Sequence, residues 1–132
     1  MLITRVIPCL LLRNAALVKT VKFKDASYVG DPINTVRIFN EAGVDELVFL
    51  DIFATPQNKA PQYDLIQEIS RECFMPFAYG GGLRTIDDVR KVLANGAEKA
   101  ILNTSAWEKP ELVTEAAKKF GSQSIVVCID VK

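Results

Sequence analysis

Short apolar runs alternate with longer amphipathic stretches along this chain. Val6-Ile7-Pro8-Cys9-Leu10-Leu11-Leu12 and Glu46-Leu47-Val48-Phe49-Leu50-Asp51-Ile52 read as buried strands. So do Pro76-Phe77-Ala78-Tyr79, Lys99-Ala100-Ile101-Leu102-Asn103 and Ser124-Ile125-Val126-Val127-Cys128-Ile129-Asp130. Their continuous apolar character is that of parallel strands covered on both faces. Helical patterns fill the gaps. Asp31-Pro32 opens the first, with Asp as N-cap and Pro at the first helical position. Val36, Phe39 and Asn40 follow, and Ala42-Gly43 closes it. Tyr63, Leu65, Ile66 and Ile69 carry the second. Thr85 caps the third, with Asp88 three residues on as the acidic partner of a capping box, and Asn95-Gly96 stops it. Lys109-Pro110 begins the fourth, with Leu112, Val113 and Ala116 on one face.

The order is strand–helix repeated, ending on a fifth strand, which predicts a parallel α/β arrangement. An open doubly wound sheet fits that order too. Two features favour a (β/α)8 barrel. The glycines follow the third strand rather than the first, and polar residues collect at the carboxyl ends of several strands, where barrel active sites lie. The expected fold is an N-terminal half-barrel of four βα units and a fifth strand, forming one domain over residues 1–132. Arg13 to Gly30 is the one long connection; it contains Lys19, Lys22 and Lys24 and reads as a mobile loop over the active face.

Composition narrows the chemistry. Hydrophobic residues make up 49% of the 132, which argues against disorder. Lys plus Arg and Asp plus Glu balance at 16 each, so no nucleic acid or anionic membrane partner is expected. No apolar run has the ~18 residues that a membrane span needs. The start of the chain lacks a signal-peptide pattern. Cys9, Cys73 and Cys128 are widely spaced, which speaks against a disulfide framework or zinc knuckle and for a reducing cytoplasm. The chain has no histidine, which removes His-based acid–base catalysis and His-ligated metal. No metal or cofactor is expected.

Gly80-Gly81-Gly82 is the first candidate site. Successive glycine N–H groups can point into one concavity and approach an anion closely. Asn103-Thr104-Ser105 ends the next strand, about 5 Å away in a parallel sheet, so both loops can touch one phosphate. A tight βα turn is the other use of such a glycine run. Asp51 and Asp130 each end an apolar strand and suit an acid, a base or a hydroxyl acceptor, Asp130 more so than Asp51; a helix cap or salt bridge is the other use of a carboxylate there. Cys9 and Cys128 read as small core residues, with Cys9 a candidate wall of the pocket. Lys19 can meet a substrate phosphate or oxyanion. Arg5, Glu46 and Lys99 sit at strand beginnings, where charges facing a barrel axis must pair or reach water.

With these residues in place, the chain resembles the cyclase subunit of imidazole glycerol phosphate synthase. The resemblance rests on Gly30-Asp31-Pro32, Asp45-Glu46-Leu47-Val48-Phe49-Leu50-Asp51-Ile52, Gly80-Gly81-Gly82, Ile101-Leu102-Asn103-Thr104 and Phe120-Gly121-Ser122-Gln123, at their spacings. That family is a (β/α)8 barrel paired with a glutaminase, whose ammonia crosses the barrel and reacts with a bisphosphorylated ribulosyl nucleotide. The resemblance implies a phosphate site at Gly81, Gly82, Asn103 and Thr104, with Asp51 and Cys9 beside the substrate. It implies catalysis by Asp130 and Lys19, an ammonia gate of Arg5, Glu46 and Lys99, and a glutaminase contact at Asp45 and Glu98.

Two departures matter. The family has an aspartate where this chain has Leu11, the second member of the acid–base pair, and leucine moves no proton. In this the chain is similar to cyclase-like paralogues of surface-polysaccharide clusters, which are thought to supply ammonia for amidating a sugar. The family's second half, with its other phosphate site, would also lie beyond Lys132. A half-barrel is expected to self-associate through open strand edges and to show no appreciable turnover alone. The first expectation is thus an ammonia-dependent cyclase of histidine biosynthesis. The second is a non-cyclising ammonia conduit and glutaminase partner.

Overall fold

The computed structural model describes residues 3–22 and 24–131. Strand β1 runs over Cys9–Arg13, later than the apolar run alone predicts. Pro8 has no N–H to give a ladder. Its carbonyl still accepts from the N–H of Val48 at 3.0 Å, and that of Val6 accepts from Asp45 at 3.1 Å. The segment ahead of β1 is therefore held by backbone hydrogen bonds to residues 45–48.

The stretch expected to be a mobile loop is an ordered hairpin. Strands β2 (Ala16–Val21) and β3 (Lys24–Gly30) extend the sheet antiparallel to β1. Asn14 at φ 55° makes the turn into β2. Leu17 and Val18 are buried against the sheet, and that burial is what an irregular loop would have forfeited.

Four more parallel strands follow: β4 (Leu47–Asp51), β5 (Phe77–Gly80), β6 (Lys99–Leu102) and β7 (Ile125–Val127). The sheet order is β3-β2-β1-β4-β5-β6-β7. A doubly wound sheet would reverse its strand order at a switch point. Here each new parallel strand joins the same growing edge, which is how a barrel is wound.

The strands divide their side chains by parity. Leu12, Leu47, Phe49, Phe77, Tyr79, Ala100 and Leu102 enter one core with the helices. Phe49 and Phe77 meet edge to face at 6.0 Å. Helix α1 (Pro32–Ala42) contributes Val36, α2 (Tyr63–Glu72) Ile66 and Ile69, and α3 (Ile86–Ala94) Val89 and Val92. Helix α5 (Pro110–Phe120) adds Leu112 and Ala116. The expected caps are present: Asp31 accepts from the Asn34 N–H at 3.0 Å, and Thr85 and Asp88 form a capping box. A short helix α4 (Thr104–Glu108) lies between β6 and α5 and has no apolar periodicity to announce it. The residues of opposite parity, among them Leu11, Leu50, Gly80 and Ile101, face away from the helices.

Candidate functional site

The carboxyl ends of β1, β4, β5 and β6 open into one cleft of about 260 Å³. Leu11, Leu50, Gly80 and Ile101 form its apolar floor, and Gly81, Asn103, Thr104 and Asp130 its polar rim. Gly80 keeps the floor flat: a Cβ there would lie 2.8 Å from the Ile101 Cβ. Gly81 and Gly82 have φ of 121° and 79°. A Cβ on Gly81 would come within 2.5 Å of the Asp51 carbonyl, and one on Gly82 would strike the Lys59 carbonyl. The glycines are thus required by backbone packing, whatever else their N–H groups do.

The two expected phosphate loops are joined. The Ser105 hydroxyl donates to the Leu83 carbonyl. A small pocket beside this contact is lined by Gly81, Gly82, Asn103 and Thr104, together with Thr55 and Ser105. The Asn103 amide donates to the Asp130 carboxylate at 2.9 Å, so the expected phosphate donor and the expected acid–base residue touch.

Of the other expected residues, Asp51 also lines the cleft, whereas Lys19 and Cys9 do not. Asp51 has the parity of Phe49 and is 8% exposed. One of its oxygens accepts the N–H groups of Phe53 and Ala54 at 3.0 and 3.1 Å; the other accepts the Gln62 amide at 2.9 Å. Its carboxylate is committed to the β4–α2 turn. Lys19 is an exposed residue of β2, paired in register with Ser27, and lines neither of these cavities. Cys9 is exposed and Cys128 half-buried, which corrects their reading as core residues. Both are on the face turned from the helices. Although the residue as a whole is exposed, desolvation at its sulfur pushes the Cys9 thiol above its ordinary range, and the charge of Cys128 adds to this. Burial, then the Asp130 carboxylate, raises Cys128.

At the opposite end of the strands, Glu46 pairs with both Arg5 and Lys99; the Lys99 Nζ is 3.7 Å from its carboxylate. The side chain of Glu46 is only 13% exposed, so two cations offset the cost of burying one anion. Asp45 accepts the Val6 N–H at 2.6 Å, and Glu98 is exposed next to Lys99. The expected charged cluster is assembled.

The sequence reading missed Thr55 and Arg84, which line a cavity with Thr104, Ser105 and Glu108. Only Leu83 separates Arg84 from the glycine run, and that proximity is the signal that could have found it. Among the described residues no three His, Cys, Asp or Glu side chains converge as a metal site. No helix among them is long and apolar enough to cross a membrane.

The family model described as histidine biosynthesis protein matches residues 5–132. A Pseudomonas aeruginosa relative, provisionally named imidazole glycerol phosphate synthase subunit hisF2, is 56% identical over 126 residues, covering 96% of this chain and 50% of its own. A Vibrio vulnificus relative, provisionally named subunit hisF3 of the same synthase, is 52% identical over all 132 residues and 51% of its own length. The imidazole glycerol phosphate synthase subunit HisF of Streptococcus mutans is 46% identical over 132 residues, or 53% of its length. The chain therefore spans about half the length of the curated relatives it matches.

Proposed function

The chain belongs to the histidine biosynthesis protein family, a family of (β/α)8 barrels, and from that premise we infer that it is an ammonia-admitting, phosphate-gripping subunit of the imidazole glycerol phosphate synthase type that does not close the imidazole ring. One observation carries this reading: Leu11 lines the cleft that holds Asn103 and Asp130. Asp130 can take a proton from an attacking amine, but ring closure in the resembling family uses two carboxylates, and leucine neither gives nor accepts a proton. Asp51 is no substitute, because both its oxygens are engaged by the β4–α2 segment. With no histidine in the chain, no imidazole can take over either.

The rest of the reading follows from chemistry. The Arg5–Glu46–Lys99 cluster at the strand beginnings supports entry of ammonia from a glutaminase partner, with Asp45 and Glu98 on the same rim. The pocket between Gly82 and Thr104 supports binding of a phosphorylated small molecule. Ammonia transfer to a sugar in surface-polysaccharide synthesis fits a subunit that keeps both features without the second carboxylate.

The test has two measurements. Mixed with a glutaminase subunit, the protein should co-elute with it and stimulate glutamine hydrolysis, and Glu46→Ala should abolish the stimulation. With ammonium salts and the bisphosphorylated cyclase substrate, no imidazole glycerol phosphate should form; its appearance would overturn the reading. The Asn103–Asp130 contact favours a second reading, an ordinary cyclase working with one carboxylate. That reading requires turnover that Leu11→Asp does not raise.

A further inference from the structure

The proposed phosphate pocket contains only neutral donors: glycine N–H groups, the Asn103 amide and the hydroxyls of Thr55, Thr104 and Ser105. A phosphate monoester brings between one and two negative charges near neutral pH. Lys19, the cation expected to meet them, is on β2 and lines neither that pocket nor the cleft. The compensating charge must come from elsewhere.

Arg84 is placed to supply it. A cavity of about 380 Å³ is lined by Thr55, Arg84, Thr104, Ser105 and Glu108. Thr55, Thr104 and Ser105 also line the glycine pocket, so the two spaces share a wall. The backbone of Arg84 is held by its N–H, which donates to the Asp88 carboxylate at 2.9 Å. Its guanidinium donates to the side-chain oxygen of Asn58, in a left-handed turn at φ 55°. Of five guanidinium N–H donors that contact uses one. Among the described residues no carboxylate lies within ion-pair distance of Arg84. Glu108 lines the same cavity; it suits hydroxyl groups and opposes a second anion.

We propose that Arg84 is the specificity-determining cation of this site, selecting the phosphate dianion of a polyhydroxylated monoester over singly charged ligands. The proposal rests on the phosphate reading of the glycine loop given above. A planar, permanently charged fork matches two phosphate oxygens at once, whereas the glycine N–H groups alone bind any small anion.

The test is calorimetric titration with ribose 5-phosphate and with ribose 5-sulfate, a monoanion of similar shape. The protein should bind the phosphate more tightly than the sulfate. Arg84→Met should weaken phosphate binding about tenfold, the scale of one lost charge-assisted partner, and remove the preference over sulfate. Arg84→Lys should keep part of the preference, and Asn58→Ala, which frees the guanidinium, should weaken binding by less. Arg84 is exposed, so thermal unfolding of Arg84→Met should match the parent. If Arg84→Met binds phosphate as the parent does while Asn103→Ala does not, the inference falls and the phosphate reading stands. If the parent binds neither ester, both fall.

Discussion

Replacing Asp51 by alanine removes the acceptor for three donors while leaving those donors in place. The Ala54 N–H, on a residue with no exposed surface, would be stranded; such a group costs about 1–3 kcal/mol when unsatisfied. The Phe53 N–H is half-buried and recovers part of its loss from water, so it adds about 1 kcal/mol. The Gln62 amide also donates to the Asn14 carbonyl and loses little. The sum is about 2–4 kcal/mol. Asp51→Asn keeps one oxygen for the two backbone N–H groups and should cost roughly half as much. Urea unfolding followed by circular dichroism reads this as a lower midpoint at unchanged slope. For a chain of this length each kcal/mol also lowers Tm by roughly 3–5 °C. An Asp51→Ala protein with the parent midpoint would refute the reasoning, since the turn would then not depend on the carboxylate. Loss of ligand binding in Asp51→Ala, with Asp51→Asn binding normally at reduced stability, would fit a turn-forming role rather than direct contact with substrate.

Other substitutions separate conformational strain from collision. Gly81→Ala should cost at least ~2 kcal/mol, because the new Cβ meets the Asp51 carbonyl at 2.5 Å as well as the unfavourable φ; Gly43→Ala, at φ 70° with nothing within 4 Å, should cost about 1 kcal/mol in the same urea assay. Thr85→Ala should lose about 1 kcal/mol through the capping box, and Thr85→Ser almost nothing. Burial holds the Tyr79 hydroxyl above its ordinary value of 10.0, so the folded state keeps a proton that the unfolded state releases first. Stability is therefore unaffected below that value and falls as pH rises through it, approaching about 1.4 kcal/mol per pH unit for this group. Urea midpoints measured from neutral to strongly alkaline pH should show that decline; a flat profile would contradict it.

The parallel strands and three of the caps were legible because local chemistry and tertiary packing agree at Asp31, Thr85 and Gly43. The hairpin was missed because its lysines suggested a solvated loop. Yet Leu17-Val18 and Tyr28-Val29 carry strand-forming residues, and Asn14 supplies the turn. Period-two counting would have assigned Asp51 to the helix side, since Leu47 and Phe49 are too large to be anywhere but in the core. The same counting assigns Cys9 and Leu11 to the other face, beside Leu50. That pairing of Arg5, Glu46 and Lys99 was legible from their shared position at strand starts. The nearness of Arg84 to Thr104 follows from the expected neighbouring loops, whereas the inclusion of Thr55 and Glu108 in the same cavity wall had no local pattern to indicate it.

Strand β4 shows what this division of faces implies for sequence change. Leu50 lines the cleft, while Leu47 and Phe49 enter the helix-side core and the Asp51 carboxylate holds the turn beyond. A single inserted or deleted residue inside β4 would exchange the two sets beyond that point, moving Leu50 into the helix-side core or a core aromatic out of its layer. Point substitutions can alter one face and leave the other untouched. Length variation has to be confined to the connections, and β4 is the ruler against which both faces of the sheet keep their alignment.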